Sequence, residues 1–260
     1  MKARPFLTAL AGVLLSLVLV TSGLLWGMNQ RSPLRLANQP LDLPRAARFV
    51  PRDAALSLHW LLDPGRLPAY VQAVAPASER RQARTEAQRW RNGVFALAGL
   101  DFEAELASWL GPELSLTLIN AADQPGWVLA LTSRDTDGAR RFLQRFWQTR
   151  SLAGADLQIS SYRGMGLISA RGTVSGAPSQ SMATALIDDD LLLLASGRGV
   201  LEQALDVSQI ADQHQLGDAG LQQHLAQLGS GVGVLTASPG PCRPGCSFPL
   251  ISPTIRRWRD

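Results

Sequence analysis

ATALIDDDLLLLASGRGVLEQAL, residues 183–205, sets the reading of the whole chain. Two apolar runs, Ala183–Ile187 and Leu191–Ser196, flank Asp188-Asp189-Asp190, and short apolar runs around an acidic turn predict a β-hairpin. A helix follows over Val200–Asp206, its entry marked by Gly197-Arg198-Gly199. Two strands in succession, then a helix, are the signature of an antiparallel sheet with helices laid on it, not of strict strand–helix alternation.

The same grammar extends upstream. Leu157–Tyr162 and Met165–Ala170 flank Arg163-Gly164, a second tight hairpin, and Glu113–Asn120 and Trp127–Ser133 make a third strand pair. Between pairs, Thr136–Thr149 repeats apolar residues at helical steps, with Ala139, Phe142, Leu143 and Phe146 inward and Arg140, Arg141 and Arg145 outward. Ser78–Ala98 predicts a long helix whose apolar face carries Ala83, Ala87, Trp90, Val94 and Leu97, ended by Gly99. Asp63-Pro64 reads as an N-cap opening a short helix to Val74, and Asp101–Leu110 as another helix stopped by Gly111-Pro112. Ala55–Leu61 alternates Leu56, Leu58 and Trp60 with Ser57 and His59, a strand with one polar face. Val200–Asp206 and Ala219–Leu228 supply the last helices. The expected fold class is α+β: an antiparallel sheet with helices packed on one face, spanning residues 51–236.

Ahead of that domain lies a segment of another kind. Phe6–Met28 is 23 positions without a charged side chain, and at the helical rise it reaches roughly 35 Å, enough to cross a hydrocarbon core of about 30 Å. A helix satisfies every backbone amide internally, as lipid demands, and Trp26 falls where an indole suits the interface. A cleaved signal with Val20 and Ser22 before the cut is the rival, but the apolar run continues through Leu24, Leu25 and Trp26. The sequence thus predicts a single transmembrane helix within residues 1–28, with the lipid bilayer as partner through residues 6–28. Basic residues flank both ends; because long domains translocate largely regardless of charge, the bulk is expected on the periplasmic or lumenal side. Residues 29–50, punctuated by Pro33, Pro40 and Pro44, read as an extended linker. Residues 237–260 hold five prolines and both cysteines without periodicity, and read as a disordered or aberrant tail.

Composition narrows the function classes. The net charge is +4 and Lys2 is the only lysine, so the basic balance is nearly all arginine. That modest excess does not predict a nucleic-acid partner, whose binders concentrate basic side chains on one face. Five segments, FVPRDAALSLHW (49–60), GLDFEAELASWLGPELSLTL (99–118), VLALTSRDTDGARRFLQRF (128–146), YRGMGLISA (162–170) and the opening stretch, together resemble an uncharacterised family of cyanobacterial membrane-anchored proteins, a domain of unknown function. The resemblance implies an N-terminal anchor followed by a repeated α+β unit, of which this chain resembles the N-terminal part only. It transfers no catalytic residue.

Asp188–Asp190 could offer carboxylates to calcium, but a calcium loop needs ligands at further set spacings and four leucines follow, so a solvated turn is expected. Gly197-Arg198-Gly199 has the strand-to-helix setting of a phosphate turn, yet the third fingerprint position falls on Glu202, whose carboxylate opposes a pyrophosphate. His59, His214 and His224 lack the clustered spacing of a zinc site and are expected at the surface. Cys242 and Cys246 are incidental to the tail or close a small disulfide loop. Arg80, Arg81, Arg84 and Arg91 share one side of the long helix, a solvated face or a contact for anionic headgroups. No catalytic, cofactor or metal residue is therefore assigned. The leading expectation is a membrane-anchored, non-catalytic binding or scaffold module of the envelope or thylakoid. An exported, hydrolase-like enzyme assembled from Asp53, His59 and Asp101 is the alternative, and a truncated gene product the third.

Overall fold

A computed structural model describes residues 39–96, 98–121, 124–171 and 181–238. The apolar run 6–28 and both cysteines lie outside these residues; among the described ones no helix is long and apolar enough to cross a membrane. Eight strands form one sheet: β1 (Leu56–Trp60), β2 (Leu110–Ala121), β3 (Gln124–Ser133), β4 (Asp156–Tyr162), β5 (Met165–Arg171), β6 (Met182–Ile187), β7 (Leu191–Ala195) and β8 (Gly233–Ala237). They lie in the order β4-β5-β6-β7-β3-β2-β1-β8, and each neighbouring pair is antiparallel. The three expected hairpins are present. In the β4–β5 turn Arg163 and Gly164 have φ of 52° and 80°, and in the β6–β7 turn Asp188 and Asp189 have φ of 48° and 64°. Such left-handed pairs match the twist of the flanking strands, and aspartate tolerates them better than most residues.

Helices cover both faces of the sheet, not one as expected. On the first face lie α1 (Leu67–Val74), α2 (Arg80–Ala96), a π turn at Phe102–Leu106 and α3 (Thr136–Leu152). Their Phe95, Leu106, Phe142 and Trp147 pack on Trp60, Leu114, Leu131 and Leu194. On the second face α4 (Arg198–Val207) and a 3-10 turn at Arg45–Phe49 set Leu201, Leu205, Ala46 and Phe49 against Leu167, Ala183 and Leu193. α5 (Ala219–Leu228) packs beside β8 on the second face, where Leu225, Leu41 and Val234 form a smaller cluster. The reason is written in β7: Leu191–Ala195 is buried at every position. Successive strand residues point to opposite faces, so four consecutive leucines require two apolar coats.

Other expectations change at their boundaries. Asp63 does not cap a helix; its carboxylate accepts the Gly65 N–H at 2.8 Å within a turn, and α1 begins at Leu67 with Pro68 in its first turn. The segment after Gly99 is not a helix to Leu110 but one π turn, capped by Asp101 accepting from the Ala104 N–H at 2.8 Å, before β2 starts. Residues 45–50, read as linker, belong to the second coat: Ala46, Ala47, Phe49 and Val50 are buried, and Arg45 reaches Asp190 at 2.6 Å. Trp90, expected inward, is 57% exposed and meets only the edge of Trp60, ring centroids 5.3 Å apart.

Two-sided burial predicts that Leu193→Ala and Leu194→Ala each cost about 2–5 kcal/mol, because each opens a cavity in a different coat. Urea denaturation of the chain in detergent, followed by fluorescence, measures both losses. A neutral result at either leucine would leave that face uncovered.

Candidate functional site

β1 and β2 carry a polar ladder on the second face: their register sets Ser57 opposite Thr117 and His59 opposite Ser115. All four are sealed from solvent. The lid is the loop 214–217, where His214 accepts the Gly217 N–H at 2.8 Å and the Gln215 N–H bonds the Val50 carbonyl at 2.9 Å. Gln215 turns its side chain down onto the ladder. Its Oε1 lies 2.8 Å from His59 Nε2 and accepts from Ser57 Oγ at 3.1 Å, while its amide nitrogen donates to Thr236 Oγ1 at 3.1 Å. With the amide so oriented, Nε2 must carry the imidazole proton, and Nδ1 accepts from Ser115 Oγ at 2.8 Å. Ser57 and Thr236 close the ring at 2.5 Å. The polar side-chain atoms of Ser57, His59, Ser115, Gln215 and Thr236 each have a partner, as burial requires.

Ser115 beside His59 has the elements of a nucleophile and base. The surroundings oppose that chemistry. The third group is a neutral amide, which cannot stabilise an imidazolium as a carboxylate does, and both Ser115 and His59 are closed to substrate. Burial pushes the imidazole below its ordinary value, only partly offset by the Gln215 bond. The band is a neutral clamp joining β1, β2, β8 and the 214–217 loop. His59 and His214, expected at the surface, are both buried, because the loop covers the polar face of β1. His224 is exposed as expected. The signal for the band was the polar pairing of Ser57 and His59 with Ser115 and Thr117, visible only once the strands are in register.

The residues of the enzymatic alternative do not assemble. Asp53 is exposed in the turn before β1, His59 is sealed in the second coat, and Asp101 caps the π turn of the first coat. The acidic turn is occupied by arginine, with Asp189 2.7 Å from Arg140 and Asp190 2.6 Å from Arg45. Among the described residues no three His, Cys, Asp or Glu side chains gather as a metal would need. Arg91 leaves the arginine face: it is 3% exposed, stacks 3.9 Å from the Phe102 ring centroid and pairs with Glu103 at 2.8 Å, while Arg80, Arg81 and Arg84 are exposed.

The Gly197–Gly199 turn lines a groove of about 810 Å³ with Tyr162, Arg198, Glu202 and Asp206. A Cβ at Gly126 would come within 2.5 Å of Val200, so glycine there lets α4 seat against β3. The groove's charges are mutually spent: Arg198 bonds Glu202 at 2.7 Å, and Asp206 accepts from Tyr162 at 2.8 Å and Arg163 at 2.9 Å. The Tyr162 hydroxyl, then Arg163, hold the Asp206 carboxyl below its usual range. Glu202, one turn in from the start of α4, and Asp206 near its end both put carboxylates on the groove wall, which disfavours a phosphate, as Glu202 suggested from sequence.

The neutral clamp has a pH signature. Unfolded histidine titrates near 6.5 and native His59 lower, so the unfolded chain binds more protons between those values. Stability is full above about pH 7 and falls as pH drops below about 6.5. Asp206 and Asp218, held low, add their loss only below 3.8. His59→Gln should cost about 1–3 kcal/mol at pH 7.5 and flatten the profile between pH 5 and 7.5. An unchanged slope in urea midpoints would place the titrating group elsewhere.

No protein of curated function and no solved structure matches the chain significantly. The pattern of the family described as Protein of unknown function (DUF3352) matches residues 9–235, which takes in every strand through the middle of β8, and by that match the chain belongs to the DUF3352 family.

Proposed function

We propose that this protein is a membrane-anchored, non-catalytic binding module, held in the bilayer by Phe6–Met28 and displaying its sheet domain on the periplasmic or lumenal side. The observation that carries the reading is the 23-position run without charge, long enough to span. A charged or strongly polar interruption would make such a helix costly in lipid, and none occurs. The domain supports the binding half of the reading. Its buried Ser115–His59 pair is a sealed clamp, and the charges of its groove neutralise one another.

Two measurements test the proposal. The full chain should stay with membranes through carbonate washing, and the domain should resist protease in intact cells but not after the outer layers are permeabilised. Release of the whole chain into the wash would end the anchor. Digestion only after the cytoplasmic membrane is opened would reverse the sidedness.

A further inference from the structure

The sheet is unevenly coated on its first face. The register stacks three rows across β8, β1, β2 and β3: Trp60 beside Leu114; then Leu235, Leu58, Leu116 and Leu129; then Ala237, Leu56, Leu118 and Trp127. Leu114 and Leu129 are sealed under the helices, but Leu118 is 39% and Leu235 66% exposed. Around the same edge Leu228, at the end of α5, is 62% exposed. From Ala219 through Ser238, twenty residues covering α5 and β8, there is no aspartate, glutamate, lysine or arginine. Edge strands are ordinarily guarded by charge, proline or a bulge. This one is bare.

The chain from the apolar run enters the described domain at that edge. The Gln39 carbonyl accepts from the Gly231 N–H at 3.0 Å, the Leu41 N–H bonds Gly229 at 3.2 Å, and Pro40 bridges Ser230. Ten residues separate Met28 from Gln39, so even fully extended they hold that point within about 40 Å of the end of the run. The geometry points to the lipid surface as the occupant of this edge: β8 and the end of α5, led by Leu235 and Leu228, rest on the bilayer that holds residues 6–28. Residues 219–238 themselves bring no ionic desolvation cost into the interfacial layer, and their exposed leucines gain by leaving water. The inference rests on the anchor proposed above and adds which side of the domain faces the membrane.

Nitroxide labels on Leu235→Cys and, separately, Ile159→Cys test it, in the full chain lacking its two native cysteines and reconstituted in phosphatidylcholine–phosphatidylglycerol vesicles. Ile159 is 81% exposed on the same face but at the opposite edge, seven strand spacings or about 34 Å away. Both side chains are exposed, so unchanged urea midpoints should confirm an intact fold. The ratio of collisions with oxygen to collisions with an aqueous nickel chelate should be several-fold higher at 235 than at 159. Equal ratios on chain that floats with the vesicles overturn the contact while leaving the anchor standing. Dipolar broadening between labels at 235 would assign the edge to a second copy and also overturn it. Failure to float sinks the anchor, and this contact with it.

Discussion

Side chains on a β-strand alternate between faces, and five consecutive buried residues, Leu191–Ala195, sit near the middle of this sheet. That constraint demands two coats of helix and turn, and most of the structure follows from meeting it. α3 and the aromatic residues around Trp109 supply one coat; α4 and the turn at Arg45–Phe49 supply the other. The ends of the sheet are less constrained. Toward β1 and β8 the second face turns polar and is closed by a hydrogen-bonded loop, while on the first face cover thins out among the described residues, from sealed Trp60 to exposed Leu118 and Leu235.

Much of this was legible in the sequence, because local signals dominate hairpins and amphipathic helices. The Asp188–Asp190 and Arg163-Gly164 turns, the strands they join and α3 all stand where their patterns put them. The number of coats was misread. Paired strands followed by helices point to a one-sided sheet, but the unbroken run LLLL is what a strand buried on both faces requires. Arg45–Phe49 was missed for a different reason. Prolines around it suggested an extended spacer, but its burial comes from the second coat, and its Arg45 pairs with Asp190, 145 positions later. His59 shows the same limit. Alternation correctly gave it a polar face, but whether such a face meets water or a loop is decided by Gln215, 156 positions later.

Arg91 illustrates how a charge pattern on a helix is overridden. Helical spacing groups it with Arg80, Arg81 and Arg84, yet about two turns beyond Arg84 it lies over Phe102, where ring stacking and Glu103 compensate its burial. The candidate site was therefore the least legible part. Its members come from β1, β2, β8 and a loop, and pair only through the finished fold. Once assembled they form a neutral lock, and what the domain leaves open lies on its outer surface, including the charge-free stretch 219–238 beside the point where the chain enters the domain.

A sheet sealed at its middle and bare at one edge should show that gradient in its own backbone. Hydrogen exchange of the full chain in detergent reads it strand by strand. Amides of Leu191–Ala195 and Val128–Leu131 should exchange slowest, at rates set by global unfolding, and those of Gly233–Ala237 many-fold faster. Protection of Gly233–Ala237 equal to that of the central strands would contradict the account, since the edge would then already be covered.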